Sequence, residues 1–290
     1  MIYLRKVLDF IFFTNIFVAV ATVSLTIETL LLLNIPVTFT PLMLVIFFAT
    51  VCDYCFHNIV SKKTISEENS NGTHIWLLNN KNIFTGVFIF SCLGLFFFSC
   101  FIPLRVFFAL VPVAIIALAY SLPVIRMKNK KITFKEIPGI KIFLVAISWS
   151  LVTVVLPLIY REKQILTPDV ILLFIQRLLF VFSACMVFDI RDIRSDNEAG
   201  IKTLSVIIGE KRSLMLSNGT LLLFIAVVSL QNFILKSYGI FTIPLVLSAF
   251  FAIIIINSKK IKEQRYYYHA FLEGLPVLQL LLLFIAVLFQ

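Results

Sequence analysis

Nine apolar runs divide this chain, and each is about as long as a helix needs to be to cross a lipid bilayer, roughly 20 residues. They fall at 8–33, 36–56, 82–101, 104–122, 140–159, 168–188, 214–234, 239–256 and 268–289. The runs are continuous rather than alternating, which argues against a β-barrel, whose strands carry a two-residue period. In hydrocarbon a backbone must satisfy its own hydrogen bonds, so the pattern predicts an all-α polytopic membrane protein. The expected architecture is a nine-helix transmembrane bundle, with residues 1–290 forming a single domain. Charge content supports this: only 14% of the residues are charged, about half the share of an ordinary soluble protein. The first run is too long for a signal-peptide core and lacks a small-residue cleavage site, so it is expected to be retained. Pro103 and Arg105 alone interrupt the third and fourth runs, which predicts a tight hairpin between them.

The formal net charge of +10 points to the bilayer and not to nucleic acid. With nine spans, the N-terminus and the loops after spans 2, 4, 6 and 8 share one side. That side collects 20 of the 25 Lys and Arg residues, against four on the other, at Arg105, Arg161, Lys163 and Lys236. By the positive-inside rule the N-terminus is expected in the cytoplasm and the C-terminus outside, in a cell membrane. Every long polar stretch, at 61–82, 123–139, 189–213 and 257–267, falls on the cytoplasmic side. Chemistry carried by loops is therefore expected at that mouth. The five cysteines all lie in or beside apolar runs. Cys52 and Cys55 form a C-x-x-C, but His57 is misplaced for haem attachment and no fourth zinc ligand is near in sequence. They read as small helix residues.

The polar end of span 6 carries the chemistry. Asp189, Asp192 and Asp196 are spaced i, i+3, i+7, positions that share one face of a helix. Acids at i and i+4 repel each other unless a cation sits between them. Mg2+ suits such a pair, because it takes one or two carboxylates and completes its shell with water and substrate phosphate oxygens. A diphosphate is the natural partner. Gly200 permits a turn, Lys202 offers an ammonium to phosphate, and Thr203 is placed to cap the next segment. The alternative is a solvated loop in which Arg191 and Arg194 neutralise the acids. Span 2 ends on the same side in a second polar cluster, Asp53, Tyr54, His57 and Asn58, so helices 2 and 6 are expected to face one another across a cavity. Within the spans, Arg177 lies near mid-membrane and Glu28 toward the outer end of span 1. Such charges face the bundle interior with a partner. They form either a structural pair or, for Arg177 and Asn15, part of a cavity wall.

The run D-x-x-x-D-x-x-x-G-x-K-T-L, from Asp192 to Leu204, resembles the second aspartate-rich motif of the UbiA-type intramembrane prenyltransferase superfamily. In that family it follows the sixth of nine helices on the cytoplasmic side. The segment AYSLPVIRMK, Ala119 to Lys128, is similar to the family's Tyr-plus-basic loop after helix 4. The resemblance covers the whole chain in length, span count and loop placement. It implies a Mg2+-dependent transferase that moves a polyprenyl group from its diphosphate to a hydrophobic, often aromatic acceptor such as a quinone precursor. The implied roles are Asp192 and Asp196, with Asp189, for metal; Lys202, Arg126, Lys128, Tyr120 and Asn58 for the diphosphate; and Asp53 and His57 to complete the pocket. The chain departs from the family at the first motif. The usual N-D-x-x-D-x-x-x-D is replaced by CDYCFHNIVSK, residues 52–62: either Asp53 and Tyr54 match the opening and the next acid becomes Phe56, or His57 matches the central acid and Asp53 the leading Asn, and neither register restores the final acid. Two other readings stay open: a non-catalytic relative that transports, binds lipid or assists assembly, and a transferase of another diphosphate-activated group.

Overall fold

The computed structural model of the protein describes residues 2–61, 72–122, 125–127, 130–132, 137 and 139–289. It is a helical bundle. The chain opens with α1 (Ile2–Phe13) and α2 (Ile16–Leu32), then α3 (Pro41–Ser61), the short α4 (Gly72–Asn79), α5 (Lys81–Ser99) and α6 (Leu104–Ser121). A small antiparallel hairpin follows, β1 (Ile125–Met127) paired with β2 (Lys130–Ile132). Next, α7 (Ile140–Ser150) runs through a π-helical turn at Leu151–Val155 into α8 (Leu156–Tyr160). The long α9 (Pro168–Arg191) is followed by two short helices, α10 (Ile193–Glu198) and α11 (Leu204–Ile208), and then by α12 (Glu210–Leu235). The chain closes with α13 (Thr242–Asn257), α14 (Lys259–Lys262), a π-helical turn at Tyr267–Leu272, and α15 (Leu275–Val287).

Among the described residues, eight helices are long and apolar enough to cross a membrane, and they coincide with the second to ninth predicted runs within a few residues. The first run is different. It is a bent pair, α1 and α2, meeting at 61°. Asn15 makes the bend, with a left-handed backbone at φ 64°. Asparagine enters that region more readily than other residues with a Cβ. Its amide contacts Cys55 Sγ at 3.6 Å, so the residue expected in a cavity wall is instead a hinge. Beyond the hinge, α1 is tied to the far end of the chain. Asp9 accepts from Arg265 Nη2 at 2.9 and 3.1 Å and from the Tyr266 hydroxyl at 2.6 Å.

Helix α9 is the spine of the bundle. Thr167 caps its first turn by accepting from the Val170 N–H, and Pro168 supplies a preset φ at the first helical position. It packs along α12 through small residues: Ser217 Oγ donates to the Ser183 carbonyl at 3.0 Å, and the two hydroxyls meet at 2.9 Å. Such residues let two helices approach closely where lipid offers no hydrophobic drive to associate. On its other side α9 packs on α7, which in turn meets α6, and α6 meets α3. This arc brings the ends of α3, α6, α7 and α9 together.

One glycine is fixed by space. A Cβ on Gly274 would lie 2.1 Å from the carbonyl oxygen of Ala270, a backbone atom of the π-helical turn. We expect Gly274→Ala to destabilise the protein by about 1–3 kcal/mol through overpacking. Thermal unfolding in detergent measures this, and an unchanged midpoint would mean that the turn relaxes freely.

Candidate active site

The three aspartates converge, although the helix that carries them does not continue. α9 stops at Arg191, Asp192 sits at the break with φ −90° and ψ 0°, and α10 starts anew. After α10, Gly200 takes a left-handed φ of 72°, and the Ile201 N–H returns to the Asp196 carbonyl at 2.8 Å. This glycine turn folds the segment back on the end of α9. The Ser205 N–H then donates to Asp189 Oδ2 at 3.0 Å, so the buried Asp189, 1% exposed, anchors the returning chain.

The residue at the centre of the acids is Lys141, in the first turn of α7. Its Nζ lies 3.1 Å from Asp189 Oδ1, 3.2 Å from Asp196 Oδ2 and 3.8 Å from Asp192 Oδ2. Only the Asp196 contact is a well-aligned hydrogen bond, and Asp189 Oδ1 accepts none from the described residues. Arg191 holds both oxygens of Asp192, at 2.7 and 3.2 Å, while its guanidinium lies over the rings of Tyr268 and Phe188, at 4.9 and 5.2 Å. Burial pushes the Asp192 carboxyl up, but the Arg191 guanidinium, with Lys141 and His57, outweighs it and holds Asp192 below the usual carboxylate range. Asp196 goes the other way: burial raises it, and the Lys141 ammonium offsets only part of that.

Beside the acids, α3, α6 and α7 enclose a cavity of about 140 Å³. Each wall is a helical stripe. Asp53, Tyr54 and His57 come from α3; Ile116, Ala117, Tyr120 and Ser121 from α6; Leu144, Val145, Ser148 and Trp149 from α7. Lys141 belongs to the same α7 face, three residues before Leu144. His57 Nδ1 meets Ser121 Oγ at 3.1 Å, and its ring lies 5.4 Å from that of Tyr120. His57 is near enough to Asp192 to bear on its ionisation. The polar end of α3 and the acids of α9 thus belong to one region, linked through Tyr120 and Lys141. A larger cavity, about 520 Å³, opens at the opposite end of the bundle. Its one acid, Asp169, already accepts from Gln231 and Ser237, so we place the chemistry at the smaller cavity.

The remaining sequence candidates divide. Asn58 and Lys202 lie outside the cavity wall, with Lys202 exposed in the loop before α11. Arg126 sits in β1 opposite Lys131; its side chain, and all of Lys128, lie outside the described residues. Arg177 does not line the cavity. It is 2% exposed and pairs with Glu28 at 3.1 Å, remote from the acids. Lys141, Ser121 and Trp149 are the residues that sequence reasoning missed. The one signal for Lys141 was a cation one residue inside an apolar run.

A family model described as the UbiA prenyltransferase family matches residues 77–275. The chain belongs to the UbiA prenyltransferase family. No curated protein matches it by sequence. Solved structures do match by fold. A UbiA homologue from Aeropyrum pernix K1, in its apo form, is 14% identical with a TM-score of 0.68, over 93% of this chain and 98% of that one. A UbiA homologue from Archaeoglobus fulgidus bound to GPP and Mg2+ is 13% identical with a TM-score of 0.65, over 96% and 99%. A digeranylgeranylglyceryl phosphate synthase is 17% identical with a TM-score of 0.56, over 98% of each chain. At these identities the likeness shows the fold: this UbiA-family chain is an all-α integral membrane protein.

Among the described residues, no group of three or more His, Cys, Asp or Glu side chains is arranged to hold a metal ion unaided. Asp192 and Asp196 nonetheless bring together two carboxylates that stay partly exposed, at 25% and 15%, beside the Lys141 ammonium. That donor set is hard and incomplete, as suits Mg2+ sharing a phosphate.

Proposed function

We propose that this protein is an intramembrane prenyltransferase that moves a polyprenyl group from its diphosphate to a lipid-soluble acceptor, with an aromatic acceptor, such as a quinone precursor, as the leading class. The observation that carries the reading is the convergence of Asp192 and Asp196 beside an apolar cavity. Asp192 and Asp196 would hold Mg2+, which when bound neutralises charge on the departing diphosphate. Asp189 positions the loop that presents them. Tyr120 and His57 face the cavity where the diphosphate and the first carbons of the prenyl chain meet. Ile116, Ala117, Leu144 and Val145 exclude water from the allylic cation formed when the C1–O bond breaks. The Trp149 ring offers that cation a π-face. The charge asymmetry of the loops supports a cytoplasmic mouth, with the N-terminus inside and the C-terminus outside the cell membrane.

The experiment is incubation of purified protein and Mg2+ with labelled polyprenyl diphosphates and a membrane lipid extract, followed by mass analysis. Pyrophosphate release matched by a prenylated lipid is the expected result. Binding of the diphosphate with no turnover would identify a non-catalytic member of the family instead, and release driven by other diphosphate-activated groups would reassign the donor.

A further inference from the structure

We propose that Lys141 is a resident cation of the diphosphate site, standing in the place of one divalent ion, so that a single Mg2+ accompanies the diphosphate. The inference rests on the diphosphate-binding reading above and concerns how the charge at that site is supplied.

Three observations point to it. First, the Lys141 ammonium occupies a point within 4 Å of all three acids. Mg2+ demands oxygen ligands at about 2.0–2.1 Å in near-octahedral array and keeps several waters. Contacts of 3.1–3.8 Å suit an ammonium, and the fully buried side chain of Asp189 leaves little room for a hydrated ion on that side. Second, the third acid, which a second metal would need beside Asp192 and Asp196, is already engaged. Asp189 Oδ2 accepts from the Ser205 N–H, and Asp189 Oδ1 faces the Lys141 ammonium at 3.1 Å. Third, α3 offers the opposite side of the cavity a single carboxylate, Asp53, with an imidazole, His57, already hydrogen-bonded to Ser121. Among the described residues lining the cavity, Asp53 has no second acid with which to share an ion. Three carboxylates against Lys141 and Arg191 still leave an excess negative charge at the end of α9, which is what draws one divalent ion.

Lys141 lies one residue into α7, on the face that also presents Leu144, Val145 and Ser148 to the cavity. Its ammonium has three donors. It can therefore keep its hydrogen bond to Asp196 and its ion pair with buried Asp189 while presenting another donor to an arriving phosphate oxygen.

The test counts metal ions. Full-length protein in detergent is titrated with Mn2+, with and without inorganic pyrophosphate, and bound ions are counted by electron paramagnetic resonance. Wild type is expected to bind one Mn2+ per chain with pyrophosphate, and Lys141→Arg to do the same. Lys141→Met vacates the point between the acids. It is expected to bind two ions with pyrophosphate, and to bind Mn2+ alone at least about tenfold more tightly, because a neighbouring positive charge has gone. Two ions in wild type, or a Lys141→Met protein unchanged in both count and affinity, overturns the proposal while leaving the diphosphate reading intact. Absence of any pyrophosphate-dependent Mn2+ binding in wild type overturns both. Should Lys141→Met fail to fold, the wild-type and Lys141→Arg counts decide.

Discussion

Alanine at Asp192 or Asp196 is expected to lower prenyl transfer by about 10²- to 10³-fold, the range seen when one preorganised electrostatic partner of a transition state is removed. The reason is local. Asp192 is held ionised by Arg191 and, with Asp196, shares the point occupied by the Lys141 ammonium. Under the proposed function, a metal held by this pair would lose half of its protein ligands without either carboxylate, and the leaving diphosphate would lose its anchor. Both side chains are partly exposed, at 25% and 15%, so truncation leaves the fold largely intact. Asp189→Ala is predicted to differ. It leaves the Ser205 N–H without its acceptor, so it loosens the loop between α10 and α11 and lowers both stability and turnover. The measurements are single-turnover rate and melting temperature on the same membrane preparations. Full activity in Asp192→Ala with an unchanged melting temperature would remove the acids from the mechanism.

How far these features were legible in the chain depends on how local they are. Asp192, Asp196, Gly200 and Thr203 lie within a dozen residues, and their spacing alone suggests cation and phosphate. The spans were legible because hydrocarbon accepts little besides a helix of the right length. Lys141 was not, since a cation at the edge of an apolar run looks like any boundary residue, and nothing in its neighbourhood announces acids 48 to 55 positions away. The bend at Asn15 was hidden for a related reason. The apolar run continues through it, and a single asparagine in the left-handed region costs too little to leave a trace in the sequence. The cavity wall was legible only in part: Asp53 and His57 show their shared face at i and i+4, whereas Ser148 and Trp149 acquire meaning only when α7 is placed between α6 and α9.

The second large effect concerns the buried pair Glu28–Arg177. Both side chains are almost wholly enclosed, 3.1 Å apart. Arg177 also reaches the Leu25 carbonyl at 3.2 Å and Thr29 Oγ1 at 3.4 Å, which binds α9 to α2. Next to it, Gln176 donates to Gln231 at 2.8 Å and accepts from the Tyr238 hydroxyl at 2.9 Å, which extends the polar seam to α12. Glu28 Oε2 and Arg177 Nε have no hydrogen-bond partner among the described residues, so the pair is closed but not fully satisfied. Removing one member of a buried pair costs about 3–5 kcal/mol, because the other charge is left uncompensated. The two removals are not equivalent. A stranded carboxylate can take up a proton, whereas a stranded guanidinium cannot give one up. We therefore expect Glu28→Ala to destabilise the protein more than Arg177→Met does. We also expect the double variant Glu28→Met, Arg177→Leu to recover most of the loss, since an apolar pair of similar volume often matches a buried ion pair. A double-mutant cycle on thermal unfolding in detergent measures the coupling. Additive single and double effects would show that the charges do not depend on one another. Because the pair lies apart from the cavity of α3, α6 and α7, transfer by the folded double variant should match wild type, and a selective loss of turnover there would move Arg177 from the scaffold into the acceptor site.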